Sequence, residues 1–317
     1  MGIMWGTGFE GCGVIGDAQA LYDEDGSGIF SMIFSSTGGF DGGKCIRSYG
    51  YTGVNSSKHW IKHVPTPGKT IVVGWHSKNT NSLSYNTAEV YHVLRITVGS
   101  DYIRVFNPAG GIEVYHNDTL IASYGSQIDD DWHHIEFKVF SDASHGTVQL
   151  KLDKTLIIDE SSLNTGGADI SSVLWGATSQ KQVHWDNPFI ADDWQGEVKY
   201  ARYSPISDTI KQFTPSTGTD NYAMVDDAAP DGDSTYNSAE EIGKKDLQGM
   251  ADVPAGVDVK AVNHVIVAKE DVDMVRKLKL GRRQDSVDYE GSEFTLTTSY
   301  PTGYGTGTYE VLTQCPD

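Results

Sequence analysis

A period of two in the apolar residues constrains this chain more than any other feature of its sequence. In Trp132–Phe140, three apolar residues alternate with three polar ones: Ile135, Phe137 and Val139 against His134, Glu136 and Lys138. The same alternation resumes at Val148 after the turn at Ser144-His145-Gly146, and another apolar run follows at Leu156–Asp159. Such alternation is typical of a half-buried antiparallel strand. These residues predict a hairpin followed by a third strand.

The rest of the sequence repeats this organisation of short strands and turns. The chain of 317 residues contains 35 glycines and 10 prolines, many of them in clusters such as Asp41-Gly42-Gly43 and Pro65-Thr66-Pro67-Gly68. Sustained helical periodicity is absent, and the length allows two cores. The fold class expected is therefore all-β: an antiparallel jelly-roll β-sandwich in residues 1–205, and a second, smaller β domain in residues 206–317 that begins with a long acidic arm.

Several segments of the first domain match a known superfamily. They are the Trp132 hairpin, Phe9-Glu10-Gly11, Gly43-Lys44-Cys45-Ile46-Arg47 and Trp185–Asp193. Together they resemble the concanavalin A-like lectin/glucanase superfamily, particularly its laminin G-like and pentraxin-like members. The resemblance covers residues 5–204 and implies two facing antiparallel sheets of roughly six or seven strands each.

The second domain carries a different resemblance. Thr214-Pro215-Ser216-Thr217-Gly218, Lys245-Asp246 and Ala251-Asp252-Val253-Pro254 are similar to C-terminal segments of tailed-bacteriophage virion proteins. This implies a structural protein on the virion surface: tail, baseplate or fibre-associated, or a head decoration. The expected partners are other virion proteins and host surface glycans, in an oligomeric assembly. Because the last strand ends at Cys315-Pro316-Asp317, we expect residues 206–317 to be an assembly module with an edge open to strand addition.

The net charge, the cysteine count and the first residues limit the possible partners and cellular location of the protein. The net charge of −19 would repel a phosphate backbone, so nucleic-acid binding is not expected. Three cysteines do not form a closed disulfide framework, and the first residues lack the pattern of a secretory signal. No apolar run reaches the roughly 18 residues of a membrane helix, so membrane insertion is not expected. These features predict synthesis in a reducing compartment, and the resemblance to virion proteins implies that this is the host cytoplasm and that the protein is located in the virion.

The acidic residues do not follow the catalytic pattern of the superfamily. Its glucanases place carboxylates at alternate positions of one strand, Glu-x-Asp-x-Glu, and this chain has no such run. A metal site or a base at His133, His134 and Glu136 is also less favoured than a solvated strand face. The sequence therefore predicts a protein that is not an enzyme. The alternatives are a polysaccharide-degrading depolymerase and a free carbohydrate-binding lectin.

Two sets of residues are candidates for binding. Aromatic rings can stack on sugars, and most tryptophans, Trp75 among them, are expected in the core. The candidate glycan contacts, expected to be exposed, are Trp185, Asp186, Asn187, Asp192, Asp193 and Trp194. A candidate calcium loop contains Asp226, Asp227, Asp231 and Asp233, because calcium binds oxygen-rich loops, although a solvated turn explains the same residues. No other cofactor is expected.

Overall fold

The computed structural model describes residues 3–6, 24–25, 32–35, 38–40, 42, 45–49, 58–80, 92–108, 111–126, 128, 131–177, 182–227, 233–271, 275–284, 286–298 and 308–314. The chain divides into two compact units, the first ending at Tyr200 and the second beginning at Ala201. The boundary expected from the sequence, between residues 205 and 206, lies close to this division. Within the described ranges, no helix could span a membrane.

The larger sheet of the first unit has eight described strands. In spatial order they are β13 (Thr155–Leu163), β12 (Gly146–Leu152), β11 (His133–Phe140), β6 (Thr70–Thr80), β15 (Gln182–Ala191), β4 (Cys45–Tyr49) and β3 (Met32–Ser35), and β1 (Ile3–Gly6) also pairs with β15. The pairs are antiparallel. The hairpin predicted from the alternation is confirmed as β11 and β12, and the predicted third strand is β13.

The second sheet has seven described strands and faces the first. In spatial order they are β10 (Thr119–Tyr124), β9 (Ile112–His116), β8 (Asp101–Phe106), β7 (His92–Val98), β14 (Ile170–Ala177), β5 (Lys58–Gly68) and β2 (Glu24–Asp25). Its pairs are also antiparallel. The expected antiparallel sandwich is confirmed.

Alternate residues of both sheets form the core between them. On the larger sheet, Ile135, Phe137 and Val139 of β11 lie beside Trp75, Val73 and Ile71 of β6, and all six are at most 1 % exposed. The sheets meet where the ring centroids of Trp5 and Trp175 are 5.6 Å apart. Because side chains alternate along a strand, the residues between these positions point to the opposite side. We call that side of the larger sheet its outer face.

One bulge shifts the alternation within β15. Asp186 pairs with His76 and Phe189 pairs with Gly74, so three steps along β15 match two along β6. Asn187 lies in this bulge with a φ of 49°, a left-handed conformation that asparagine tolerates better than most residues. As a result, Asp186 and Phe189 both lie on the outer face.

The second unit is built from pairs of strands. They are β16 (Pro205–Lys211) with β19 (Asp246–Met250), β17 (Thr214–Pro215) with β18 (Asn237–Ser238), β20 (Ala261–Val267) with β23 (Thr308–Gln314), and β21 (Lys277–Gln284) with β22 (Val287–Thr295). A 3-10 turn at Tyr222–Met224 follows Asn221, which is fully buried. The Asn221 amide donates to the Phe213 carbonyl at 2.9 Å and to Asp246 Oδ2 at 2.7 Å. These bonds connect the chain after β16 to β19.

Candidate functional site

The outer face of the larger sheet carries a row of buried polar residues. His134 on β11 pairs with His76 on β6, which pairs with Asp186 on β15. His184 lies two residues before Asp186 and points the same way. Each of the four is less than a tenth exposed. We call His76, His134, His184 and Asp186 the histidine cluster.

Two aromatic residues border the histidine cluster. The Phe40 ring stacks on His76 with 3.8 Å between centroids and an interplanar angle of 22°, and its backbone N–H donates to Asp186 Oδ2 at 2.9 Å. Trp132, at the start of β11, meets Phe40 edge-on at 6.2 Å and lies 6.2 Å from the His184 ring. Both rings are partly exposed. This aromatic rim of Phe40 and Trp132 gives the buried polar cluster an apolar border at the surface.

Asn187, in the bulge, orients His76. Its side-chain oxygen accepts the Tyr200 backbone N–H at 3.3 Å, and its amide nitrogen lies 3.4 Å from His76 Nδ1. The amide therefore donates to Nδ1, which leaves the proton of the neutral ring on Nε2. That nitrogen faces Glu197 Oε1 at 3.9 Å. The bulge thus fixes which nitrogen of His76 can donate.

Burial keeps the two central histidines uncharged. Desolvation, assisted by nearby His134 and Lys199, lowers the pKa of His76 from its ordinary 6.5 to about 3. Desolvation also lowers the pKa of His134, although Glu136 and Glu197 oppose that change. Neither ring nitrogen of His134 has a hydrogen-bond partner in the part of the chain that the structure describes. A neutral imidazole can accept a hydrogen bond from a hydroxyl group at one ring nitrogen and donate one at the other.

The outer face near Glu136 is not solvated, which corrects the prediction for His134 and Glu136. They are 4 % and 1 % exposed. The segment that follows β15 lies over Glu136, and the backbone N–H groups of Gln195 and Gly196 donate to its Oε1 at 2.9 and 3.0 Å. The alternation identified the face correctly but could not show that a distant segment covers it. His133 instead pairs with Asp153 at 2.6 Å.

The six candidate glycan contacts separate into three groups. Trp185 is 2 % exposed and points into the core beside Ile46, so the expectation that it is exposed is wrong. Asp186 and Asn187 are buried in or beside the histidine cluster, where Asp186 Oδ1 accepts the Asn187 N–H at 2.8 Å. Asp192, Asp193 and Trp194 are partly exposed in the segment after β15.

Trp194 forms a second aromatic position on the outer face. The ammonium of Lys151 lies 3.9 Å from its ring centroid and that of Lys138 lies at 5.6 Å. Lys138 also donates to Asp193 at 2.7 Å, and this hydrogen bond is the main cause that lowers the Asp193 pKa. Trp194 and Asp193 are therefore held beside cations.

The candidate calcium loop lies in the second unit and is described in part. Asp226 and Asp227 are exposed, and Asp227 Oδ2 accepts the Thr235 hydroxyl at 3.0 Å. Asp233 pairs with Lys269 at 2.8 Å. Asp231 lies outside the described residues. Among the residues that are described, no three His, Cys, Asp or Glu side chains come together as metal ligands.

Sequence reasoning missed most of the histidine cluster and the aromatic rim. His76 follows the apolar run Ile71–Trp75, and the change from apolar to polar was the available signal for it. No sequence signal indicated Phe40 or His184, because the turn near Gly39 and strand β15 are brought together only by the fold. The clustering depends on three strands that are distant in sequence.

Comparison with known proteins gives information about the fold alone. No family model and no curated protein matches the chain. Among solved structures, the alginate lyase Aly36B is similar at 12 % identity and a TM-score of 0.43, over 61 % of this chain and 98 % of its own. The cellulose-induced protein Cip1 is similar at 13 % identity and a TM-score of 0.43, over 56 % of this chain and 92 % of its own. The carbohydrate-binding module CBM66 from Bacillus subtilis is similar at 13 % identity and a TM-score of 0.37, over 53 % of this chain and 94 % of its own.

The similar structures correct one prediction. The chain was expected not to be an enzyme because it lacks the glucanase carboxylate pattern. An alginate lyase stands among the similar structures, so that expectation is overturned: missing glucanase carboxylates do not exclude catalysis on this fold. Fold does not specify activity, however, and identities this low assign none.

Proposed function

We propose that the first unit binds a polysaccharide on the outer face of its larger sheet, at the histidine cluster and its aromatic rim. The observation that carries this proposal is the position of His134, a buried neutral histidine without a partner for either ring nitrogen among the described residues. Buried polar groups are normally hydrogen-bonded, so a group of this kind indicates a site for a ligand. A sugar hydroxyl can both donate and accept, as a neutral imidazole requires.

The aromatic rim supplies the other half of sugar recognition. Phe40 and Trp132 are partly exposed beside His76 and His134, and apolar faces of sugar rings stack on such side chains. Asn187 and Asp186 hold His76 and Phe40 by hydrogen bonds, so the site is positioned before a ligand arrives. Preorganised groups of this kind lose less entropy on binding.

Binding to an array of polysaccharides tests this proposal. Trp132→Ala and His134→Gln should each weaken binding at least about tenfold, the effect of losing one stacking contact or one buried hydrogen bond. His145→Gln is the matched control, because His145 lies in the turn before β12 and its side chain is 82 % exposed. Unchanged binding in both site variants would refute the location, provided that circular dichroism shows them folded.

Cleavage of the bound polysaccharide is a second candidate function. His76 Nε2 faces Glu197 at 3.9 Å, and burial keeps both His76 and His134 neutral. A pKa of about 3 makes His76 a weak base at neutral pH, so the candidate general base is His134, whose ring nitrogens have no partner among the described residues. Shortening of the polysaccharides by the wild-type protein, followed by size-exclusion chromatography, would support this activity if His134→Gln abolished it. Chains of unchanged length would leave binding as the function.

For the second unit, the proposal is attachment to a tailed-phage particle. It is supported by the sequence resemblance at Thr214–Gly218 and Ala251–Pro254 and by the strand β23, which pairs with β20 alone among the described strands. Mass spectrometry of separated heads and tails should find the full chain and lose it when residues after 207 are deleted. Incorporation of the shortened chain would contradict an attachment role.

A further inference from the structure

Two lysines on the outer face lie against tryptophans. The Lys78 ammonium is 5.0 Å from the Trp132 ring centroid, and the Lys151 ammonium is 3.9 Å from that of Trp194. Among the residues that the structure describes, neither lysine forms an ion pair. This is unexpected in a chain with 43 acidic and 24 basic residues, where acidic partners are abundant.

Three acidic side chains of the same region already have basic partners. Asp193 bonds to Lys138 at 2.7 Å, Asp153 to His133 at 2.6 Å, and Glu197 lies 3.6 Å from Lys154. Neither Lys78 nor Lys151 has a carboxylate oxygen within ion-pair distance among the described residues, although Asp193 attracts Lys151 electrostatically. A ligand on this face meets two ammonium groups that form no ion pair among the described residues, each beside an aromatic ring.

The strand register gives the separation of the two lysines. Lys78 lies four residues from Gly74 on β6, and Gly74, Glu136 and Lys151 are neighbours across β6, β11 and β12. With the usual strand rise and spacing, the two backbone positions are about 16 Å apart. His76 on β6 and His134 on β11 lie between them, whereas His184 and Asp186 lie on β15, on the other side of β6. A ligand that reaches both backbone positions is longer than one sugar, and anionic groups on successive sugars would be spaced to meet both lysines.

We propose that the polysaccharide bound by the first unit is acidic, with a carboxylate or sulfate group on successive sugars. This inference rests on the proposed binding function and specifies its ligand class. The tryptophans contact sugar faces, while the ammonium groups beside them contact the anionic substituents. The net charge of −19 opposes the approach of a polyanion, so the attraction has to come from local cations such as these two lysines.

Calorimetric titration with three probes tests the ligand class: polygalacturonate, dextran sulfate and uncharged dextran. The full-length chain should bind at least one polyanion about tenfold or more tightly than dextran, with affinity falling as salt rises. Lys78→Gln and Lys151→Gln should each weaken that binding about fivefold, the size expected for one partly screened charge contact. Lys244→Gln, on the second unit beside Glu241, is the control and should have no effect.

The outcomes separate this inference from the function it rests on. Preference for one polyanion supports the proposal and identifies carboxylate or sulfate as the group recognised. Equal binding of dextran, lost in Trp132→Ala but unchanged in both lysine variants, would overturn the acidic ligand and leave the binding site intact. Polyanion binding that survives Trp132→Ala and His134→Gln would place the ligand elsewhere and overturn both. Failure of both polyanions to bind would overturn the inference.

Discussion

Acidification should destabilise the first unit through His76. Its side chain is fully buried, and burial lowers its pKa to about 3, whereas the unfolded chain has the ordinary value of 6.5. Below pH 6.5 the unfolded state takes up a proton that the folded state does not, so stability falls as pH falls toward about 3. From about pH 7.5 to about pH 5, the loss from this one group is roughly 2 kcal/mol, from the proton-binding equilibria of the two states.

Urea unfolding followed by tryptophan fluorescence measures this loss in the first unit. All seven tryptophans lie at or before Trp194, so the signal reports that unit alone. Other groups also titrate, and therefore the comparison is with His76→Gln, which cannot take up the proton. The wild type should lose about 2 kcal/mol more than the variant over this pH range.

The exposed histidine at position 145 controls for a general effect of removing a histidine. His145→Gln should retain the wild-type pH dependence. If the stability of His76→Gln falls with pH in parallel with the wild type, within about 0.5 kcal/mol, His76 is not held neutral by burial. The account of a buried neutral histidine cluster would then be refuted.

Three further predictions concern packing and buried hydrogen bonds. Glu136→Leu should lower the stability of the first unit by about 2–4 kcal/mol, because the Gln195 and Gly196 N–H groups lose their acceptor. Glu136→Gln should cost less. Equal losses of the two variants in urea unfolding would argue against a role of Glu136 as that acceptor. Gly74→Ala should lower the stability by about 1–3 kcal/mol in the same assay, since its Cβ would lie 2.1 Å from the Phe189 ring. Gly68→Ala is the control, because a Cβ at Gly68 would lie in open space. Equal losses in the two variants would contradict the packing of Phe189 against Gly74. Asn221→Ala should accelerate hydrogen exchange in β16 and β19 by removing the bonds to Phe213 and Asp246, and unaltered exchange would count against the link.

The sequence predicted those parts of the fold that depend on neighbouring residues. Alternation along residues 132–159 was sufficient for β11, β12 and β13, because a hairpin pairs strands that are adjacent in the chain. Trp75 is buried as expected, since it continues an apolar run. The all-β class follows from the same local signals.

The site depends on pairings that local patterns do not encode. Strand β6 lies between β11 and β15, and this arrangement joins residues 76, 134 and 186 in one row. The burial of Glu136 requires contact with residues 195 and 196, about sixty positions away. Trp185 was misplaced because acidic neighbours suggested exposure, although in a strand the neighbours point to the opposite face.

The bulge at Asn187 has a consequence for how this strand can vary. Before it, even-numbered residues of β15 face the histidine cluster; after it, Phe189 takes that side and Ile190 enters the core beside Val73. The extra residue reverses the alternation: even-numbered side chains point outward in the first half of β15, and odd-numbered ones in the second half. Substitutions in the first half can alter the side chains around the histidine cluster while the second half continues to pack unchanged. Deleting Asn187 would instead turn the core side chains of one half of β15 to the outer face and its outer side chains into the core. We therefore expect this position to tolerate replacement far better than removal.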